Sequence, residues 1–235
     1  MPLAAVMCGM AHLRSESLKR LVSWDRTRHR PVLAFPGQEP DLTRTVLPHQ
    51  FRLASDHELI GIRSPGNRAI GVSYIAKGYA AALSMDRAPY YVDDPSMPLA
   101  ARVKEAMSYL TGIPATWEHP RLDVDDDLAA SLGGGRLAVA CSPVLKNGNT
   151  DYEVATRCRL ITARREQAHA VLGVDDRRKV RLHHPLGYAT SISLGDFRTV
   201  FPDVIVGPPP PQIGERQPAP ETFDYLATGL GTEIR

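Results

Sequence analysis

The sequence predicts an α+β protein: a mixed helix and short-strand N-terminal half, an antiparallel hairpin-based C-terminal sheet and a Pro-rich C-terminal arm. Three observations predict it. An apolar stripe with helical spacing runs from Met97 to Leu110, the chain alternates with period two from Arg136 onward, and prolines and glycines punctuate the rest. The alternation argues against a doubly wound parallel sheet, whose strands are buried on both faces and read as continuous apolar runs. A single domain over residues 1–206 and an arm over 207–235 follow from these boundaries.

The elements follow in order. The opening "MPLAAVMCGMAHLRSESLKRL" reads as an amphipathic helix continuing to about Trp24. Its apolar run has no positive charge before it, the wrong order for a secretory signal, whereas Arg14, Lys19 and Arg20 against the single acid Glu16 also suit an organelle presequence. Pro31, Pro36, Gly37, Pro40 and Pro48 then break the chain into extended pieces, with strands near 42–47 and 51–62. Asn67 can cap a helix over "NRAIGVSYIAKGYAAALSM", the preferred reading, although Val72, Tyr74 and Ile75 also suit a strand. The clearest helix is "DDPSMPLAARVKEAMSYLTGI". Asp94 suits its cap, Pro95 its first turn, Met97, Ala100, Val103, Met107 and Leu110 its buried stripe, and Gly112 its end. A short helix is expected in "DVDDDLAASLGGG", with acids at its favourable end. Strands are expected near 136–146, 150–162, 179–184, 188–194 and 198–206, with one helix near 163–172. "GPPPPQIGERQPAPE" reads as an extended arm and "TFDYLATGL" as a short terminal helix.

Asn147-Gly148 between two alternating runs is a strong hairpin signal, because a type I′ turn needs positive φ at both central residues. Pairing Lys146 with Asn149 would bury Cys141 and Cys158 on one face, separated by about 13 Å along the strands, too far for a disulfide or a shared metal ion. The same register would place Arg157 and Arg159 together on the polar face.

Composition narrows function. No stretch approaches the roughly 18 apolar residues of a membrane span, and an odd count of three cysteines suits a reducing, cytoplasmic setting. The net charge of +2 hides strong segregation. Arg14 to Arg30 carries six basic residues against two acids, Arg157 to His184 eight against three, and Asp86 to Ala130 nine acids against four bases. Clustering of this kind suits an anionic partner. The expected nucleic-acid contacts are Arg157, Arg159, Arg164, Arg165, Arg177, Arg178 and Arg181, acting on the phosphate backbone, since aromatic residues for base stacking are few nearby.

Other motifs are weaker. "GIRSPGNR" at 61–68 offers glycines and backbone N–H groups with Arg63 and Arg68 as an anion-binding loop, although Asn67-Arg68 stands where a Walker loop needs Lys and Ser or Thr. Asp123, Asp125 and Asp127 imitate the start of a calcium loop, but Leu128 and Gly134 stand where Gly and Glu are required. His183-His184 would point to opposite faces of a strand, and either could serve as a general base. No metal site, cofactor or catalytic motif is expected. The expectation is therefore a non-catalytic, RNA-binding subunit of a ribonucleoprotein or other assembly, whose partners are nucleic acid and other protein subunits, with no membrane. Two alternatives remain: a small-molecule enzyme using the 61–68 loop with a His183 or His184 base, and a structural assembly subunit without nucleic acid.

Overall fold

The computed structural model describes residues 2–27, 30–37, 44–45, 74–76, 78–79, 97–118, 130, 132, 136–144, 148–160, 166–184 and 187–207. The fold is α+β. The helices whose full extent lies among the described residues are α1 (Pro2–Lys19), α2 (Leu99–Thr111), α3 (Thr150–Arg157) and α4 (Leu194–Val200). Strands β1 (Val22–Asp25), β2 (Arg30–Leu33) and β3 (Arg44–Thr45) form a small antiparallel sheet. Strands β4 (Thr116–Glu118), β5 (Ala138–Ser142), β6 (Gln167–Val174), β7 (Lys179–His183), β8 (Ala189–Ser193) and β9 (Asp203–Val206) form a six-stranded antiparallel sheet in the order β4-β9-β5-β6-β7-β8.

The large sheet separates two apolar cores. On one face, α1 and α2 pack over Val139, Cys141, Ala168 and Ile205, with Leu33, Phe35, Ile75 and Tyr79 closing the layer beyond them. On the other, α3 and α4 pack Val154, Ala155, Leu160, Leu194 and Phe197 over Ala138, Ala140, Val171, Val180 and Leu182. Every residue of β5 is buried, as required of a strand covered on both faces.

Residues Pro2 to Met7 of α1 are all buried, because this end of the helix is apolar on every side and lies between layers. It approaches the sheet closely at Gly9, where an added Cβ would lie 2.6 Å from Leu137 Cδ1. The helix stops at Lys19, and Trp24 belongs to β1, five residues beyond the helix that the sequence was expected to extend through it. Helix α2 buries Ala100, Val103, Met107 and Leu110 as its spacing requires. Gly112 ends it in the left-handed region at φ 74°, donating its N–H to Ser108 O at 2.9 Å. The helix begins at Leu99 with Pro98 in the cap position; the expected cap Asp94 and Pro95 lie outside the described residues.

Three expectations for the C-terminal half are corrected. Residues 150–157 form α3, not the second strand of a hairpin, and β5 pairs instead with β6 and β9. Gly148 does adopt positive φ, 81°, but the turn leads into a helix with Asp151 and Glu153 in its first turn and Arg157 in its last. Those charges complement the helix dipole, and a short Thr/Tyr/Val alternation could not outweigh them once Val154, Ala155 and Leu160 had a sheet face to cover. Residues 167–174, expected within a helix near 163–172, form β6 because the chain there lies between β5 and β7 and its backbone groups are paired on both sides. The expected strand 198–206 is divided into α4 and β9. Ser193 caps α4: its Oγ accepts the Asp196 N–H at 3.1 Å and donates to Asp196 Oδ2 at 2.8 Å.

Residues 74–76 and 78–79 are helical, in accord with the helix expected there, and residues 130 and 132 are helical within the expected second short helix. The expected strand 51–62, the 61–68 loop, the acidic run 123–127 and the Pro-rich arm beyond Gly207 lie outside the described residues.

Candidate nucleic-acid interface

Among the described residues, the strongest local concentration of exposed cations sits on the β6–β7 hairpin. Val174 pairs with Val180, and the loop between them closes through Asp175 N–H to Lys179 O and Arg178 N–H to Asp175 O, each 2.9 Å. The Asp175 carboxylate accepts the backbone N–H groups of Arg177 at 3.0 Å and Lys179 at 2.8 Å. Arg178 occupies the left-handed region at φ 57°, the conformation that a three-residue hairpin loop demands after a type I turn. Of the two acids next to the cluster, Asp175 is thus engaged in shaping the loop, while Asp176 is exposed at its tip with Arg177, Arg178 and Lys179.

Strand alternation extends the surface down β7. Val180 and Leu182 are fully buried in the α3/α4 core, so Lys179, Arg181 and His183 occupy the opposite face. Their partners across the ladder are Ser193, Ser191 and Ala189, all small and exposed. Helix α1 packs on this face mainly over β6 and β5, which among the described residues leaves the β7–β8 margin open. The result is a two-stranded ribbon with cations on one strand and short side chains on the other.

Arg157 and Arg159 are on the other side of the sheet. Both are exposed at the C-terminal end of α3, which packs in the α3/α4 core. Arg157 Nη2 is 2.6 Å from Asp196 Oδ1, so it joins the end of α3 to the start of α4. Arg159 has φ 56° and serves the backbone. Its N–H donates to Thr156 O at 3.0 Å while Leu160 N–H donates to Ala155 O at 2.9 Å, the two bonds of a Schellman motif with Arg where Gly is usual. The expectation that Arg157 and Arg159 share one strand face is therefore corrected: neither residue is on a strand. Of the remaining sites, Arg177, Arg178 and Arg181 come together on the ribbon, and Arg63, Arg68, Arg164 and Arg165 lie outside the described residues.

Lys179 belongs to this surface although, counted with the basic segment, it was not among the expected contacts. The signal is present in "KVRLH", where strand alternation puts Lys179, Arg181 and His183 on one face. His169 was also missed. It is buried beside His184 at a ring-centroid distance of 4.8 Å, a contact invisible while its segment is read as helix.

His183 and His184 do face opposite ways. His184 is buried in a stack on Tyr188, and burial first, then the α-amino terminus and His183, push its imidazole down to about 4. A ring so enclosed is a poor general base for a bound substrate. The cysteines are free, and the sheet separates Cys141 in the α1/α2 core from Cys158, which contacts the α3/α4 core, correcting the expectation of one shared face. Burial and the Asp203 and Glu166 carboxylates push the Cys141 thiol well above its usual range, so it is not poised as a nucleophile. Among the described residues, no three His, Cys, Asp or Glu side chains gather as metal ligands, and no helix is long and apolar enough to cross a membrane. No protein-family profile matches the sequence, and no curated protein is significantly similar to it.

Proposed function

We propose that the protein is a non-catalytic subunit of a nucleoprotein assembly, contacting the phosphate backbone of nucleic acid through the β7–β8 ribbon and the β6–β7 tip. The observation that carries this reading is the open ribbon: Lys179 and Arg181 stand opposite Ser193 and Ser191, with Arg177 and Arg178 at the adjoining tip. Among the described residues, none of Arg177, Lys179 and Arg181 is held in an ion pair, unlike Arg102, which binds Glu166 at 2.8 Å, and Arg157. Short neighbours let a polyanion approach the cations without displacing bulky side chains. A ribbon of this kind supports backbone contact, which positions a partner without reading its sequence. Other protein subunits would supply the rest of the assembly.

The test is binding of fluorescent single- and double-stranded oligonucleotides across a salt series. The wild type should show a steep fall of log affinity with log salt, and Lys179→Ala with Arg181→Ala should weaken binding to unrelated sequences alike. For every phosphate that is no longer neutralised, the slope should flatten by about 0.7 to 0.9. Arg157→Ala, on the other face, should leave the slope unchanged. Salt-insensitive binding, or binding indifferent to the double substitution, refutes the proposal.

A further inference from the structure

We infer that the opposed pair His169 and His184 is an acid-sensitive latch, whose protonation loosens the corner where β6, the β7–β8 turn and the chain after α4 meet. The inference does not depend on phosphate binding, and the two can fail separately. His169 lies one step beyond the Ala170–His183 pair of the β6–β7 ladder. Its ring therefore meets that of His184 edge-on, with centroids 4.8 Å apart and planes at 67°. Phe201 closes on the same ring at 5.3 Å and 71°, while Tyr188 stacks on His184 at 4.7 Å and 12°. The turn that carries this stack is closed by His184 N–H to Tyr188 O and Gly187 N–H to His184 O, each 2.9 Å.

His169 is 1% exposed, and neither Nδ1 nor Nε2 has a hydrogen-bond partner among the described residues. A neutral ring tolerates that position at some cost. An imidazolium would carry two N–H donors and a full charge, and neither nitrogen has an acceptor within hydrogen-bond distance among the described residues.

Among the described residues, the surrounding groups supply no counter-charge. From β6 comes Gln167, on the same strand face and with its own Oε1 buried without a partner. Phe201 is the neighbour from the α4–β9 corner and Tyr188 from the β8 end. The titratable groups acting on His169 are His184, the α-amino terminus and His183, and all of them oppose its protonation. Burial, the largest cause, combines with these to push His169 down to about 3.

The direction of the pH dependence follows. An unfolded-chain histidine titrates near 6.5, so below that pH the unfolded state takes up a proton that the folded state refuses. Stability linked to His169 is complete above about pH 6.5 and is lost as the pH falls towards its folded value. Between about pH 7 and about pH 5, His169 alone should lower the ratio of folded to unfolded protein about 25-fold. His184 acts in the same direction.

Denaturant unfolding of the full chain and of His169→Phe, across the range from about pH 7.5 to about pH 4.5, tests the latch. The variant keeps an aromatic ring in the space but cannot be protonated, so between about pH 7 and about pH 5 its folded-to-unfolded ratio should fall about 25-fold less than that of the wild type. Parallel pH profiles overturn the inference. Imidazole proton shifts of the wild type provide a second measurement that needs no variant: a ring that stays neutral to below about pH 5 supports the latch, and a folded-state midpoint near 6.5 sinks it. Hydrogen exchange locates the opening. Acceleration at about pH 5 should concentrate in residues 183–193 and 197–203, and uniform acceleration across the sheet overturns the assignment to this corner.

Discussion

Replacing Arg159 by Gly should make the protein more stable, by about 0.5–1 kcal/mol. Arg159 sits at φ 56°, immediately beyond α3, where it completes the two-bond cap formed by its own N–H and that of Leu160. A side chain in the left-handed region costs about 1–2 kcal/mol, which Gly does not incur. Against this, Gly gives the unfolded chain extra freedom worth about 0.4–1 kcal/mol. The difference sets the expected gain. Since about 1 kcal/mol moves the midpoint of a chain this size by roughly 2–4 °C, thermal unfolding should shift upward by about 1–4 °C. Arg159→Ala supplies the control: it removes the same charge but keeps the unfavourable backbone, so its stability should stay near that of the wild type. Nucleic-acid binding measured in parallel separates the two roles, because both variants remove the same guanidinium and would weaken any phosphate contact equally. If Arg159→Gly is less stable than Arg159→Ala, the left-handed cap is not the feature that determines this residue's energetics.

Two further substitutions probe the cores. Gly37→Ala would place a Cβ 2.6 Å from Tyr109 Cα and 2.7 Å from Ser108 O. Both are backbone atoms that cannot swing away, so a loss of about 1–3 kcal/mol is expected in denaturant unfolding, and an unchanged midpoint would contradict this packing. The Cys141 thiol, 3% exposed in the α1/α2 core, should resist alkylation in the native protein and react once the chain is unfolded. Cys141→Ser should cost about 1–3 kcal/mol by burying an imperfectly satisfied hydroxyl, and rapid labelling of native Cys141 would refute its burial.

Some elements were legible because their causes are local. Helix α2 has its stripe and terminal glycine within one short stretch, and β7 and β8 carry alternations bounded by turn residues. Segment 150–157 illustrates the opposite case. Its alternating Thr150, Tyr152, Val154 and Thr156 satisfy a strand pattern, while Asp151, Glu153 and Arg157 satisfy a helix dipole, and eight residues are too few for periodicity to arbitrate. The Ser193 and Asp196 spacing did signal the start of α4, but it lay inside a run that also read as strand.

The α+β class, the segregation of charge and the membership of Arg177, Arg178 and Arg181 in one basic stretch could all be read along the chain. Those properties follow from composition and from contacts between near neighbours. Long-range packing was needed to pair Arg157 with Asp196 on one face while Arg181 stood on the other, and to enclose His169 between His184 and Phe201. Each of those placements depends on which strands pair. In an antiparallel sheet a change of partner or a slip of one residue reverses every side chain's face, and local propensity carries no term that fixes the choice.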